Sequence, residues 1–262
     1  MDEPLDYKLS KRRRGVYLLP NLFTTGTLFG GFYAIIAGMS GLAGTGDQYS
    51  LAAIAIFIAM ICDSLDGLIA RKTNTASDFG KEYDSLCDMV AFGLAPALVV
   101  YFWSLHFLVE YKWLGGKLGW VAAFMYAACA ALRLARFNVL ASRGGAKGNF
   151  FGLPSPAAAA VVIGFVWAAD ELGYQGVELI LPATILTIFA GALMVTNLRF
   201  WSLKSLKLTE RVPFRYIVFA VLILVLFALK PSLIFFIVFF CYALTGPVNA
   251  VRERQRKSAG KA

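Results

Sequence analysis

Eight apolar stretches, each close to the length that crosses a lipid bilayer, constrain this chain more than any other feature of its sequence. A bilayer-spanning helix needs about 20 mostly apolar residues, and the 59% of hydrophobic residues exceeds the share in a soluble domain. The stretches are continuous rather than alternating, which favours helices over a membrane barrel. We predict an all-α fold, a polytopic membrane helical bundle with about eight transmembrane helices. The predicted spans are 17–39, 50–71, 79–104, 117–140, 154–169, 177–197, 213–229 and 231–247.

The net charge of +9 follows the topology of the chain rather than forming one basic surface. Lys and Arg concentrate in alternate loops and at both ends, whereas segments 40–49 and 169–176 contain none. By the positive-inside rule, we expect an integral protein of the inner (cytoplasmic) membrane with both termini in the cytoplasm. The basic loops also attract anionic head groups of membrane lipids, and we expect no nucleic-acid partner.

Four aspartates interrupt the apolar character of the second and third spans. Asp63 and Asp66 share one face of a predicted helix, and Asp84 and Asp88 share one face of the next. A carboxylate in a span costs about 2.5–3.5 kcal/mol on insertion scales, so such residues indicate a functional site. The short polar segment 72–79 joins the two helices. We therefore expect an antiparallel pair whose four carboxylates converge at its cytoplasmic end.

Converging carboxylates repel one another unless protons or cations neutralise them. A site of oxygen ligands without His or Cys favours the hard ions Mg²⁺ or Mn²⁺. Gly67, Ala70 and Gly80 leave room beside the carboxylates for a phosphate-bearing ligand, and Arg71 offers a two-point contact to a phosphate. The alternative is a cation or proton-coupled transporter. Transporters often contain internal repeats, and the aspartate pattern has no second copy in this sequence.

These residues carry a resemblance to a known family. The run Asp63-x-x-Asp66-Gly67-x-x-Ala70-Arg71, eight further residues, then Gly80-x-x-x-Asp84-x-x-x-Asp88 matches in full the signature of the CDP-alcohol phosphotransferases. The resemblance implies a six-helix catalytic core and two metal ions bound by Asp63, Asp66 and Asp84. It also implies that Asp88 contributes to the metal site and acts as the general base. The implied reaction is the attack of an alcohol on the lipid-linked phosphate of a CDP-activated donor, which releases CMP.

The same resemblance implies a nucleotide site beside the aspartates. Gly67 and Arg71 match positions at the cytidine nucleotide and its phosphates, with Ala70 and Gly80 beside them. In the first span, Asn21 and Thr24 resemble a Pro-Asn-x-x-Thr element that holds the nucleotide in related enzymes. We therefore expect three regions: 1–16, a basic cytoplasmic N-terminal segment; 17–247, a transmembrane catalytic domain; and 248–262, a basic cytoplasmic tail. The active site is expected on the cytoplasmic side.

Further segments resemble one branch of that family, the integral-membrane phosphatidylserine synthases. The segments are 79–82, 88–96, 131–138 and 151–156. The resemblance implies CDP-diacylglycerol as the donor and L-serine as the acceptor. Cationic and polar residues at the cytoplasmic end of the fourth span, with one beside the metals, are candidates for binding serine: Lys81, Arg133, Arg136 and Asn138. The alternative for the cations is a contact with a phosphate of the donor. The alternative within the family is another acceptor, such as glycerol 3-phosphate or inositol phosphate.

A run of small residues in the first span, Gly26-x-x-x-Gly30-Gly31, predicts a helix face for close packing. Such a face serves equally well within one chain or between two copies. Intramolecular packing and a homodimer are therefore alternative predictions.

Overall fold

The computed structural model of the chain describes residues 5–44, 48–73, 77–111, 116–142, 152–198, 200, 227 and 229–259. These ranges contain helices and no β-strand. The α-helices are α1 (Leu5–Leu42), α2 (Gln48–Thr73), α3 (Asp78–Asp88), α4 (Ala95–Trp103), α5 (Leu118–Ser142), α6 (Ser155–Glu171), α7 (Ile180–Val195) and α8 (Pro231–Ala259). A π-helical turn, Met89–Leu94, joins α3 to α4, and a short 3₁₀ helix, Leu105–Val109, follows α4.

Five helical segments of the described ranges have the length and mean hydropathy of a membrane span. They are Pro20–Leu42, Gln48–Ala70, Asp78–Trp103, Leu118–Leu140 and Pro231–Arg252. Helix α7 is apolar but shorter, and α6 has 17 residues. The predicted polytopic helical membrane bundle is confirmed. The number of eight spans stays a prediction, because the predicted span 213–229 lies almost wholly outside the described residues.

The third predicted span consists of α3, the π-helical turn and α4. Ser77 begins α3 as its N-cap, where its hydroxyl oxygen accepts a 3.0 Å hydrogen bond from the backbone N–H of Gly80. The π-helical turn starts directly after Asp88 and ends where the N–H of Ala95 bonds to the carbonyl oxygen of Val90. Asp84 and Asp88 therefore both lie on α3, directly before the chain changes from α-helical to π-helical geometry.

The small residues of α1 pack within the chain. An added Cβ at Gly30 would lie 2.8 Å from the carbonyl oxygen of Ala55, and one at Gly31 would lie 2.5 Å from the Cα of Ala91. Side chains are therefore excluded at both positions, where α1 approaches α2 and the π-helical turn. Of the two alternatives for this glycine face, packing within the chain is the one that the structure shows.

Helix α6 lies in the middle of the bundle, with α2, α7 and α8 packed against it. Residues 157–164 are all buried, as expected for a helix that is apolar around its whole circumference. The helix also contacts the π-helical turn that follows Asp88. Its first residue, Ser155, is consequently fixed in position near the end of the bundle where the aspartates lie.

The proposed region boundaries fall inside continuous helices. Helix α1 begins at Leu5, before the boundary at 16, and α8 runs to Ala259, past the boundary at 247. The division into basic ends and a transmembrane domain stays a prediction from composition.

Candidate active site

Three aspartates from two helices meet at one place. Asp63 and Asp66, one helical turn apart on α2, and Asp84 on α3 each place a carboxylate oxygen within 4.8 Å of the others. Asp66 is buried, with 5% of its surface exposed, while Asp63 and Asp84 are partly buried. Three of the four carboxylates predicted to converge from α2 and α3 therefore meet in the structure. Their oxygen atoms are ligands of the kind that divalent cations prefer.

Asp88 lies beside this cluster, one turn beyond Asp84. Its carboxylate interacts with that of Asp63, while it is not one of the three residues whose oxygens meet within 4.8 Å. One oxygen of Asp88, Oδ1, is buried without a hydrogen-bond partner among the described residues, and the same holds for Oδ1 of Asp84. Buried carboxylate oxygens that lack a donor need a cation or a proton. The unpartnered oxygens and the carboxylate cluster therefore both fit a divalent metal at this site.

Thr24 of α1 contacts this cluster from the side. Its hydroxyl lies 2.8 Å from Oδ2 of Asp66 and 3.1 Å from the carbonyl oxygen of Pro20, so its single proton has two acceptors. Donation to Asp66 orients that carboxylate, as the outer hydrogen bonds of metal sites do. The structure thus places Thr24 against a candidate metal ligand, and its predicted role as a nucleotide ligand stays a prediction.

The other predicted nucleotide residues lie around the same end of α2 and α3. Asn21 of α1 approaches Gly80 of α3, since an added Cβ at Gly80 would lie 3.7 Å from the Asn21 Oδ1. Gly67 and Ala70 are partly buried on α2, within two turns of Asp63. The side chain of Arg71 lies outside the described residues.

The four candidates for binding serine have different surroundings. Lys81 is exposed and forms a 3.2 Å ion pair with Asp78, one turn before it. Arg136 is also exposed and donates from Nη2 to Oδ1 of Asn197 at 2.7 Å. Both contacts lie at the protein surface, where such pairs contribute little.

Asn138 connects two helices, since its Nδ2 donates to the hydroxyl of Ser85 at 2.9 Å. Arg133 interacts electrostatically with both Asp88 and Asp63. Its Nη1 donates to the hydroxyl oxygen of Ser155 at 2.7 Å, and its Nε is buried without a hydrogen-bond partner among the described residues. Arg133 is therefore the candidate that the structure links to the aspartates.

Two residues of this site were not among the sequence-based candidates. Ser155 lies within the segment 151–156 used for the resemblance, yet a serine at a helix start is usually only a cap. Tyr242 of α8 interacts electrostatically with Arg133, and its ring centre lies 6.0 Å from that of Phe200 with the two rings tilted by 44°. Tyr242 lies far from the four aspartates in the sequence, so no local sequence pattern could have identified it.

Comparison with known proteins gives consistent matches. A family model described as CDP-alcohol phosphatidyltransferase matches residues 17–183. The CDP-diacylglycerol–serine O-phosphatidyltransferase of Helicobacter pylori is 36% identical over 194 residues, covering 73% of this chain and 75% of the relative. That of Methanocaldococcus jannaschii is 39% identical over 145 residues, covering 55% and 61%. The archaetidylserine synthase of Methanothermobacter thermautotrophicus is 33% identical over 184 residues, covering 70% and 69%. The range matched by the family model contains the four aspartates, Arg133 and Ser155, and ends before α8.

Proposed function

Because this chain belongs to the CDP-alcohol phosphatidyltransferase family, we propose that it transfers the phosphatidyl group of CDP-diacylglycerol to L-serine. The products are phosphatidylserine and CMP. The observation that carries the proposal is the meeting of Asp63, Asp66 and Asp84 within 4.8 Å at the junction of α2 and α3. The family membership argues against the alternative of a cation or proton-coupled transporter.

The donor's pyrophosphate belongs at this aspartate cluster. Asp63, Asp66 and Asp84 would hold divalent metal there, and the buried Oδ1 of Asp84 has no hydrogen-bond donor among the described residues. Mg²⁺ or Mn²⁺ bound at the cluster would polarise the pyrophosphate and neutralise charge on the leaving CMP. We propose two ions, because four carboxylates carry more negative charge than one divalent ion balances. Gly80, next to Asn21, leaves space for the nucleotide beside the cluster.

Asp88 is proposed as the general base. The serine hydroxyl oxygen forms a bond to the phosphorus that carries diacylglycerol, while the bond from that phosphorus to the bridging oxygen of CMP breaks. The hydroxyl proton passes to the carboxylate of Asp88, and CMP leaves with the bridging oxygen. The buried Oδ1 of Asp88 has no hydrogen-bond donor among the described residues, which leaves this atom available to accept the proton.

Arg133 is proposed to hold the carboxylate of the acceptor. It is a partly buried cation beside Asp88, and a carboxylate bound to it would bring the serine hydroxyl near the proposed base. Lys81 and Arg136 form surface contacts elsewhere, and Asn138 is bonded to Ser85. We therefore rank Arg133 first among the four predicted serine-binding residues.

Serine is favoured over phosphorylated acceptors by the names of the relatives. The enzymes of Helicobacter pylori and Methanocaldococcus jannaschii are named as serine O-phosphatidyltransferases, and the third relative as an archaetidylserine synthase. All three names contain serine, whereas the lipid part of the name differs between the third relative and the other two. Glycerol 3-phosphate or inositol phosphate would add a phosphate to the acceptor site and would require further cations near Asp88.

The orientation and assembly of the protein are proposed from its sequence. We infer that the aspartate cluster and both termini face the cytoplasm across the inner membrane, because Lys and Arg concentrate in the loops at that end. A homodimer stays a prediction. The glycine face that suggested it packs within the chain.

The proposed function is tested by identifying the lipid product. Purified protein is incubated with CDP-diacylglycerol, Mg²⁺ or Mn²⁺, and L-serine, glycerol 3-phosphate or inositol phosphate in separate reactions. We expect phosphatidylserine and an equal amount of CMP with L-serine alone. A lipid product from a phosphorylated acceptor, with none from serine, would contradict the acceptor and retain the reaction class.

A further inference from the structure

We propose that Ser155 is a positioning residue, which orients the Arg133 guanidinium so that it binds the carboxylate of the acceptor. The inference rests on the proposed function, since it concerns the acceptor of that same site. It adds a residue from α6 whose contribution is made through Arg133 rather than through contact with the reacting atoms.

The contact between the two residues is short and partly buried. Nη1 of Arg133 donates to Oγ of Ser155 at 2.7 Å, and Ser155 itself has no exposed surface. Charge-assisted hydrogen bonds of this length are stronger than those between neutral groups. Because α6 is packed on several sides, Ser155 is a fixed acceptor rather than a mobile surface hydroxyl.

The atom that Ser155 binds determines which part of Arg133 stays open. A guanidinium binds a carboxylate with two parallel hydrogen bonds, and one edge that can do so consists of Nε and Nη2. This edge does not include Nη1, so the bond from Nη1 to Ser155 leaves it available. Its Nε is buried and has no hydrogen-bond partner among the described residues. A buried, unpartnered donor on a cation is costly unless a ligand satisfies it.

The neighbours of Arg133 connect it to the catalytic site. It interacts electrostatically with Asp88 and with Asp63. Tyr242 of α8 and Tyr126 of α5 are the other interacting neighbours. Tyr126 donates its hydroxyl proton to the carbonyl oxygen of Phe92 at 3.1 Å, so that proton is already used. A ligand carboxylate at Arg133 would therefore lie close to the aspartates and to Ser155 of α6.

The test is a comparison of steady-state constants for Ser155→Ala, Arg133→Ala and the double variant, using detergent-purified protein, CDP-diacylglycerol and L-serine. Ser155→Ala should raise the KM for L-serine by up to roughly 10- to 150-fold, the range for losing one hydrogen bond to a charged group. The KM for CDP-diacylglycerol should change less than about twofold. In the Arg133→Ala background, Ser155→Ala should have no further effect on the KM for L-serine, because residues that act through one another are not additive.

Ser104→Ala is the matched control. Ser104 directly follows α4, at the end away from the π-helical turn, and is as buried as Ser155. Its hydroxyl donates a hydrogen bond of the same 2.7 Å length to the carbonyl oxygen of Gly176. Its loss should lower thermal stability and leave both KM values unchanged. Should Ser155→Ala fail to fold, Ser155→Cys gives the same comparison, since it keeps the size of the side chain with a much weaker acceptor.

Three results would overturn the proposal. They are an unchanged KM for L-serine in Ser155→Ala, an equal rise in the KM values of both substrates, or effects of Ser155→Ala and Arg133→Ala that multiply in the double variant. If the wild-type protein forms no phosphatidylserine, the proposed function fails and this inference with it. If it does form phosphatidylserine and one of the three results occurs, the positioning role alone fails.

Discussion

The hydroxyl of Tyr126 on α5 donates a 3.1 Å hydrogen bond to the backbone carbonyl oxygen of Phe92, in the π-helical turn that follows Asp88. In a regular α-helix that carbonyl would accept from residue 96, which is Pro96 and has no N–H. Tyr126 thus supplies a donor that the sequence of the helix withholds. Both rings are fully buried, so this interaction connects α5 to the backbone one turn beyond the proposed base.

Tyr126→Phe removes this donor and keeps the ring. We expect a loss of stability of about 1 kcal/mol, because a buried carbonyl loses its hydrogen bond. Turnover should fall roughly 2- to 10-fold, because displacement of the turn that follows Asp88 would shift that carboxylate. Thermal unfolding in detergent and the rate of CMP release measure the two effects.

Tyr49→Phe is the control for that experiment. Tyr49 donates a comparable 3.0 Å hydrogen bond to the carbonyl oxygen of Phe102, at the opposite end of α4 from the π-helical turn. We expect a similar loss of stability with normal turnover. Equal turnover in the two variants would show that the Tyr126 contact is structural only.

The four aspartates and the π-helical turn differ in how far the sequence predicts them. Four carboxylates in apolar spans are conspicuous, and the helical period alone places Asp63 with Asp66 and Asp84 with Asp88. The turn contains a carbonyl that accepts its hydrogen bond from a tyrosine of another helix. Pro96 marks the place in the sequence, but the partner Tyr126 is known only from the packing of α5.

Removal of divalent metal should abolish activity and lower stability. The carboxylates of Asp63, Asp66 and Asp84 repel one another within 4.8 Å when no cation balances them. We expect a strong chelator to stop CMP release and Mg²⁺ or Mn²⁺ to restore it. At 100 times its Kd, a bound ion stabilises the fold by about 2.7 kcal/mol, which thermal unfolding measures independently of turnover. Asp66→Asn should weaken this stabilisation, and full turnover in chelator would contradict the metal site.

Asp88→Asn keeps the shape of the side chain and removes the proton acceptor. We expect turnover to fall at least about 10²-fold, the lower end for loss of a general base. Donor binding, measured by titration with CDP, should fall much less than in Asp63→Asn. If both variants lose CDP binding alike, Asp88 acts as a metal ligand instead of the base. Near-normal turnover would exclude Asp88 from the mechanism.

The orientation in the membrane is tested by labelling single cysteines. Cys62, Cys87, Cys129 and Cys241 are first replaced in an active background. Cysteines are then placed at two exposed positions at opposite ends of the bundle, Lys81 and Tyr174. An impermeant maleimide added to intact spheroplasts should label position 174 and leave position 81 unlabelled until the membrane is opened. The reverse pattern would invert the predicted topology and place the aspartate cluster outside.

The acceptor site is the part for which the sequence was least informative. Arg133 and Arg136 are three residues apart on one helix and have the same charge. Neither the helical period nor the residue type therefore indicates which of the two binds serine. The structure separates them through residues distant in sequence, with Ser155 binding one and Asn197 the other.

Arg133→Ala should impair the use of serine because of its carboxylate. A charge-assisted hydrogen bond contributes about 1.5–3 kcal/mol, which predicts a rise of roughly 10- to 150-fold in the KM for L-serine. Ethanolamine is serine without the carboxylate. Its KM, or its inhibition constant if it is not a substrate, should be the same for the wild-type protein and the variant. Arg136→Ala is the matched control: it removes an exposed cation one turn away and should change either KM less than about twofold. A variant that weakens CDP-diacylglycerol and leaves L-serine unaffected would place Arg133 at the donor phosphates, and serine would then bind elsewhere.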